Sequence, residues 1–128
     1  LIPWLTEKGL KIAVVKHDAH GLILDKEGKD TDRFFKAGAD VIGNGPGQRF
    51  TRKHQQDTSP LHMIVNKHAP FYDLILVEGH KQTPGPAKIW LKRNPDDLPP
   101  EEVGETLLDL EFDDTRMETV TAFIAYYL

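Results

Sequence analysis

The sequence predicts an α/β fold, in which helices cover both faces of a mostly parallel sheet that carries a β-hairpin insertion. Two short apolar runs, KIAVVK at residues 11–16 and DLILV at 73–77, are typical of strands in a parallel sheet. A helical pattern at residues 59–68 supplies the crossover that parallel strands require. The hairpin is predicted from arms at residues 41–44 and 48–54, which flank the turn sequence GPG.

The chain opens with a predicted helix. Leu1 and Leu5 lie on one face of this helix, and Gly9 is expected to end it because glycine tolerates the left-handed conformation of a helix end. The strand at residues 11–16 follows, and its continuous apolar character predicts burial on both faces of the sheet.

A second short helix is predicted between residues 25 and 39. Asp30 or Thr31 is expected to cap its start, since both side chains can accept a bond from a free backbone amide. Gly38 is expected to end the helix. After the hairpin, Ser59 and Pro60 predict the start of the crossover helix.

Strands at residues 87–92 and 107–110 are predicted beyond the second apolar run. A capping box at residues 115–118, TRME, predicts the start of a C-terminal helix. The apolar stripe of this helix is formed by Met117, Val120, Ile124 and Tyr127.

Composition excludes several classes of protein. A length of 128 residues predicts a single domain spanning residues 1–128. The net charge of −4 argues against a general nucleic-acid binder, and no apolar run approaches the roughly 18 to 20 residues of a membrane helix. The absence of cysteine excludes disulfides and thiolate metal sites, so any metal must use His or oxygen ligands. We expect a cytoplasmic protein that binds neither nucleic acid nor membrane.

The residues directly after the two apolar strands carry the predicted chemistry, because ligands of open α/β sheets bind at the carboxyl ends of parallel strands. Glu78 follows DLILV as a Walker B acid follows its strand, where it would hold Mg²⁺ bound to nucleotide phosphates. Asp18 is the second candidate for catalysis and Mg²⁺ binding. Gly79 lets a ligand approach the backbone, although a tight turn explains it equally well. Lys81 either adds positive charge there or is a surface residue.

A polar loop at residues 25–30, DKEGKD, is the second candidate site. Its two lysines and a glycine precede a helix start, where backbone amides and Lys charges can hold a phosphate. Three acids accompany the lysines, so a solvated and charge-balanced loop is the alternative.

Taken in order, VKHDAHG, the loop DKEGKDT before a helix ending in AGA, and DLILVEG resemble the molybdopterin-guanine dinucleotide biosynthesis protein B family, the MobB proteins. The resemblance extends from Gly9 to about Arg93 and resumes in the C-terminal helix. It implies a P-loop NTPase fold of the GTP-binding kind and a homodimer. It also implies a helper role beside the guanylyltransferase that attaches GMP to molybdopterin. The implied cofactors are GTP and Mg²⁺, with molybdopterin or its guanine dinucleotide as a further ligand.

Matching by position gives the strand-end pair His17 and Asp18, a signature loop at residues 25–31 (DKEGKDT), and Glu78 with Gly79. The complete candidate set for phosphate or pterin binding is His17, Asp25, Lys26, Gly28, Lys29, Asp30, Thr31, Gly79 and Lys81. In the family, a G-x-x-G-x-G-K-[ST] phosphate loop directly precedes the helix that here begins the sequence. Because the amides and lysine of that loop hold the triphosphate, we expect the given chain to be N-terminally incomplete and to bind GTP weakly or not at all.

Three functions are consistent with these residues. The first is a GTP-binding accessory protein of molybdenum cofactor maturation, at most a slow GTPase because no arginine finger is evident. The second is a nucleotide-free adaptor that binds the guanylyltransferase or molybdenum enzymes through the hairpin at residues 41–54. The third is a metallochaperone-type GTPase that carries nickel or zinc on His17 and His20.

Overall fold

A computed structural model describes residues 1–18, 20–54, 59–80, 83, 88–99, 106–111, 113 and 115–128. The elements in chain order are α1 (Ile2–Glu7), β1 (Ile12–Lys16), α2 (Asp30–Lys36), β2 (Val41–Gly45), β3 (Gln48–Arg52), α3 (Leu61–His68), a 3₁₀ turn (Ala69–Phe71), β4 (Leu74–Glu78), β5 (Lys88–Leu91), β6 (Thr106–Leu110) and α4 (Arg116–Tyr127). They form two compact units, Leu1–His17 with Leu61–Leu128 and Asp18–Pro60, which we call the strand unit and the hairpin unit. The mixture of parallel strand pairs and helices confirms the predicted α/β class.

The strand unit contains the two apolar strands that the sequence singles out. Strands β1 and β4 pair in parallel, with Ile12 opposite Leu74 and Lys16 opposite Glu78. Their carboxyl ends therefore lie at the same level. The predicted burial on both faces is wrong, since Val14 is 50% exposed and Val77 is 38% exposed. Within the described residues these strands form a sheet of two, and a sheet of two strands leaves more of its surface uncovered than a wide one.

Helix α1 packs beside β1 and ends as predicted. Leu5 is fully buried. Gly9 has a φ of +82°. The amides of Gly9 and Leu10 donate to the carbonyls of Thr6 and Leu5, at 2.9 and 3.3 Å. These two bonds form a Schellman end, which satisfies carbonyls that the last helical turn leaves without a partner.

A second parallel pair, β5 with β6, lies in the same unit. At its end Lys92 is 8% exposed. The ammonium group of Lys92 lies 3.4 Å from the carboxylate of Asp109 and 2.5 Å from that of Glu111. Arg116, the first residue of α4, donates to the backbone carbonyls of Lys92 and Glu111. Helix α4 is thus attached to this sheet by its first residue.

The predicted capping box of α4 is not formed. Thr115 does occupy the cap position, but its hydroxyl donates to Asp113 at 2.7 Å and makes no bond to the helix amides. Of the predicted apolar stripe, Val120 is buried, whereas Met117 and Tyr127 are 48% and 66% exposed. Helix α3 begins at Leu61, one residue after the predicted start.

The hairpin unit contains α2 and the antiparallel pair β2 and β3. The predicted hairpin is confirmed, with a turn at Pro46 and Gly47. Gly47 has a φ of +74°, which a Pro-Gly turn requires at its second central residue. Gly38 ends α2 as predicted, with a φ of +102° and a bond of 2.9 Å from its amide to the carbonyl of Phe35.

Candidate functional site

The carboxyl ends of β1 and β4 hold the predicted Walker B acid. Lys16 and Glu78 are register partners, and the ammonium of Lys16 lies 2.7 Å from Oε2 of Glu78. Their side chains are 57% and 61% exposed, so a ligand in solution can reach both groups. An exposed pair of this kind contributes at most about 1 kcal/mol, and a competing phosphate or cation can therefore displace it.

His17, Gly79 and His80 complete this end of the strand unit. The amide of His17 donates to the carbonyl of Glu78 at 3.0 Å, which continues the pairing of the strands by one residue. Gly79 has a φ of +88°, and a Cβ built on it would lie 2.6 Å from the carbonyl oxygen of His17. Glycine is needed here for both reasons. The turn places the imidazole of His80 beside that of His17, with ring centroids 4.4 Å apart.

Asp18 belongs to the hairpin unit, where its carboxylate supports a turn. Its Oδ1 accepts a bond of 2.9 Å from the amide of His20, and its carbonyl accepts one of 3.3 Å from the amide of Gly21. An Asp side chain that bonds the backbone two residues onward forms an Asx turn.

An acid of the signature loop forms hydrogen bonds within the loop itself. Asp25 accepts bonds from the hydroxyl of Thr31 and from the amide of Lys26, the latter at 2.8 Å. The predicted caps Asp30 and Thr31 are wrong, because the helix begins at Asp30 and the cap position belongs to Lys29. The exposed members of the loop are Lys26, Glu27, Gly28, Lys29 and Asp30.

Asp32 in α2 makes more contacts than any acid of the loop itself, although no sequence motif singled it out. Its carboxylate is 8% exposed and accepts a bond of 3.0 Å from the amide of Gly28. It also pairs with Lys36 at 3.0 Å and with Arg52 at 3.5 Å. The bond from the Gly28 amide, followed by that from Lys36, holds the pKa of this carboxyl below its usual value. Helical spacing between Asp32 and Lys36 is the signal that could have identified the pair.

Phe35 links α2 to the hairpin. The guanidinium carbon of Arg52 lies 3.7 Å from the ring centroid of Phe35, and the imidazole of His54 stacks on that ring at 3.8 Å. Two flat groups at such distances must occupy opposite faces of the ring. His54 also bonds the carbonyl of Phe35 at 3.0 Å and donates its amide to Asp40 at 3.0 Å. This arrangement depends on tertiary contacts and has no local sequence signature.

The structure therefore brings His17, Glu78 and Gly79 together at one strand end, and Asp25, Lys26, Gly28, Lys29, Asp30 and Thr31 together in one loop. Lys81 lies outside the described residues. Across the described part of the chain, no three His, Asp or Glu side chains are grouped closely enough to hold a metal. Likewise, no helix in that part is both long and apolar enough to span a membrane.

Sequence comparisons identify relatives over most of the chain. The family model described as MobB, molybdopterin guanine dinucleotide synthesis protein B, matches residues 1–108. A Haemophilus influenzae protein named molybdopterin-guanine dinucleotide biosynthesis adapter protein is 32% identical over 126 residues, which cover 92% of this chain and 70% of that protein. An Escherichia coli protein of the same name is 35% identical over 107 residues, which cover 80% of this chain and 61% of that protein.

Solved structures agree with these sequence relatives. A crystal structure of molybdopterin-guanine biosynthesis protein B has a TM-score of 0.76 at 25% identity, covering 99% of this chain and 87% of that one. The Bacillus subtilis MobB structure has a TM-score of 0.67 at 21% identity, covering 94% and 84%, and supports the fold alone. The chain spans 54% to 70% of the length of the curated relatives it matches. Because the family model matches 108 of the 128 residues, the chain belongs to the MobB family.

Proposed function

We propose that this chain takes part in molybdopterin-guanine dinucleotide biosynthesis as an adapter protein, and that the carboxyl ends of β1 and β4 contribute to the binding of a Mg²⁺-bound guanine nucleotide. The observation that carries this proposal is the family match over residues 1–108, which includes both strand ends. The curated relatives from Haemophilus influenzae and Escherichia coli carry the name adapter protein.

The contacts of Lys16 and Glu78 support the nucleotide part of the proposal. Mg²⁺ is commonly held by one or two carboxylates together with substrate phosphates and water. A phosphate that accepts a hydrogen bond from the ammonium of Lys16 would replace Glu78 as its partner. The carboxylate of Glu78 would then be available to Mg²⁺. Asp18 of the hairpin unit is proposed separately as a Mg²⁺ ligand. The exposed lysines of the signature loop, Lys26 and Lys29, are proposed contacts for phosphate or pterin.

Calorimetric titration of Mg–GTP and Mg–ATP into the full gene product tests this proposal. We expect binding of GTP, and we expect Glu78→Gln to weaken Mg²⁺-dependent binding at least tenfold, because a neutral amide is a weaker ligand for Mg²⁺ than a carboxylate. Glu7→Gln is the matched control, since Glu7 is an exposed acid at the end of α1. Wild-type binding by Glu78→Gln, with circular dichroism showing a folded protein, would remove Glu78 from the site. Hydrolysis measured in parallel is expected to be slow at most.

The proposed partner is the guanylyltransferase of the pathway, with molybdenum enzymes as further partners, and the proposed assembly is a cytoplasmic homodimer. Light scattering of the purified protein tests the dimer. Capture of the purified guanylyltransferase tests the partner.

A second candidate function, a nucleotide-free adaptor, is favoured by the outer face of the hairpin. Ile42 is 73% exposed and lies on the face opposite the buried Val41. Two results together would favour the adaptor function over the nucleotide-binding one. Ile42→Ser would lower capture of the guanylyltransferase, and the wild-type protein would bind neither Mg–GTP nor Mg–ATP. Met63→Ser is the control, since Met63 is an exposed apolar residue on α3, outside the hairpin.

A further inference from the structure

We propose that the imidazoles of His17 and His80 form a binding site for one divalent transition-metal ion, with water completing the coordination. The metal class is the one that imidazole prefers, namely Zn²⁺, Ni²⁺, Co²⁺ or Cu²⁺. This site lies at the same strand ends as the proposed nucleotide site, and its test requires no nucleotide.

The separation of the two rings fits shared coordination of one ion. Their centroids are 4.4 Å apart and their planes are inclined by 33°. In a tetrahedral site with metal–nitrogen distances of about 2 Å, two coordinating imidazole centroids lie about 5 Å apart. A small rotation about χ1 of either histidine moves its whole ring and is enough to reach that separation, and χ2 then sets the plane of the ring.

The backbone that holds His80 is in an unfavourable conformation. His80 has a φ of +52° and is the one residue other than glycine with a positive φ in the described part of the chain. A left-handed conformation is unfavourable for a residue with a Cβ, because the Cβ comes too close to the following carbonyl oxygen. The preceding Gly79 is also left-handed, and its backbone lies against the carbonyl of His17. Strained backbone conformations are concentrated at functional sites. In this turn the strained conformation brings the imidazole of His80 into contact with that of His17.

Thr83 supports the orientation of the His80 ring. Its hydroxyl lies 3.0 Å from Nδ1 of His80, and its amide donates to the carbonyl of His80 at 3.0 Å. The carbonyl of Thr83 in turn accepts a bond of 2.8 Å from Lys88. When Nδ1 carries the proton and donates it to the hydroxyl, the lone pair is on Nε2 and is available to a metal. Histidine ligands in metal sites are usually held in this way by a second hydrogen bond.

The ligand set of the proposed site is limited to the two imidazoles. Glu78, two residues earlier, is paired with Lys16. We therefore assign two protein ligands to the ion.

Zinc chloride titration of the chain by calorimetry tests the proposal. We expect one equivalent of Zn²⁺ to bind, and we expect His17→Ala and His80→Ala each to weaken binding at least tenfold. The double variant should lose less than the product of the two single effects, because each single variant already destroys the shared site. His62→Ala is the control, since His62 is exposed on α3 and its substitution should leave the affinity unchanged.

Two further variants keep the proposal falsifiable if the alanine variants fold poorly. Thr83→Val retains both imidazoles and should weaken Zn²⁺ binding about tenfold. In ¹⁵N spectra of the wild-type protein, Zn²⁺ should shift Nε2 of His80 while Nδ1 remains protonated. Unchanged affinity in folded His80→Ala would overturn the proposal. Loss of binding in His20→Ala with retention in His80→Ala would also overturn it and would assign the ion to His17 and His20.

Discussion

The two compact units are stabilised by different interactions. Of the five apolar side chains that are buried among the described residues, the strand unit contains Leu5, Leu61, Leu110 and Val120, and the hairpin unit contains Val41. The hairpin unit instead buries Asp32 among two cations and an amide, and packs Phe35 between Arg52 and His54. One unit therefore depends mainly on removal of apolar surface from water, and the other on a network of charges and rings.

This difference separates two carboxylates that look alike in the sequence. Asp32 is 8% exposed and has three partners, so it holds the fold of its loop. Glu78 is 61% exposed and is paired with one lysine, so a ligand can reach it. A carboxylate in a motif is a candidate ligand when its bonding capacity is free, and Asp25 and Asp32 have already used much of theirs within the fold.

The largest expected loss of stability comes from Leu5→Ala in the strand unit. Removing a fully buried leucine side chain costs about 2–5 kcal/mol of unfolding free energy, and this loss should be insensitive to salt. Urea denaturation at low and high salt measures it. Ile2→Ala on the same helix is the control, because Ile2 is 45% exposed. Equal losses in the two variants would contradict the buried position of Leu5.

The second largest effect is expected for Asp32→Asn in the hairpin unit. The substitution leaves Lys36 and Arg52 without their carboxylate, and hydrogen exchange should show weaker protection of the α2 amides. Because the folded pKa of Asp32 is lowered, its stabilisation is present above about pH 4 and is lost as pH falls through the folded pKa. The difference between the wild type and Asp32→Asn should therefore disappear in acid.

Asp30→Asn is the control for Asp32→Asn, since Asp30 is exposed on the same helix. If the two variants lost equal stability at pH 7, the network around Asp32 would not be what stabilises the hairpin unit.

A smaller effect is expected for Gly79→Ala at the strand ends. The substitution should lower the free energy of unfolding by about 1–3 kcal/mol, because position 79 has a left-handed φ of +88° and the added Cβ would lie too close to the carbonyl oxygen of His17. The turn must shift to accommodate the methyl group, so the contact between His17 and His80 should be lost in NMR spectra. Gly45→Ala is the control, because a Cβ at Gly45 meets open space. Unchanged stability of Gly79→Ala would show that the turn is not constrained.

The smallest effect is expected for Lys16→Gln. Removing an exposed ion pair should change the free energy of unfolding by about 0–1 kcal/mol, and less at high salt. The same variant should nevertheless weaken GTP binding in the calorimetric experiment, since Lys16 is the cation next to Glu78. Lys67→Gln, an exposed lysine on α3, is the control. A large loss of stability in Lys16→Gln would contradict this expectation and would show that the Lys16–Glu78 ion pair stabilises the fold, as Asp32 does.

Much of the fold could be predicted from local patterns. The two apolar strands, the hairpin turn at Gly47 and the helix ends at Gly9 and Gly38 follow from residue periodicity and from the left-handed conformation that glycine permits. The predicted cap of α2 and the predicted capping box of α4 are wrong, because side chains that can cap a helix can also form hydrogen bonds with other side chains. Thr31 bonds Asp25 and Thr115 bonds Asp113.

By itself, the sequence determined the order of elements, the MobB family and the strand end at which Glu78 lies, because these depend on residue types at short and regular spacing. Only the tertiary structure decided that Asp32 is buried, that Phe35 is stacked on both faces and that His80 lies against His17. Those contacts join residues that are up to 63 positions apart in the chain, and local propensity carries no information about such pairs.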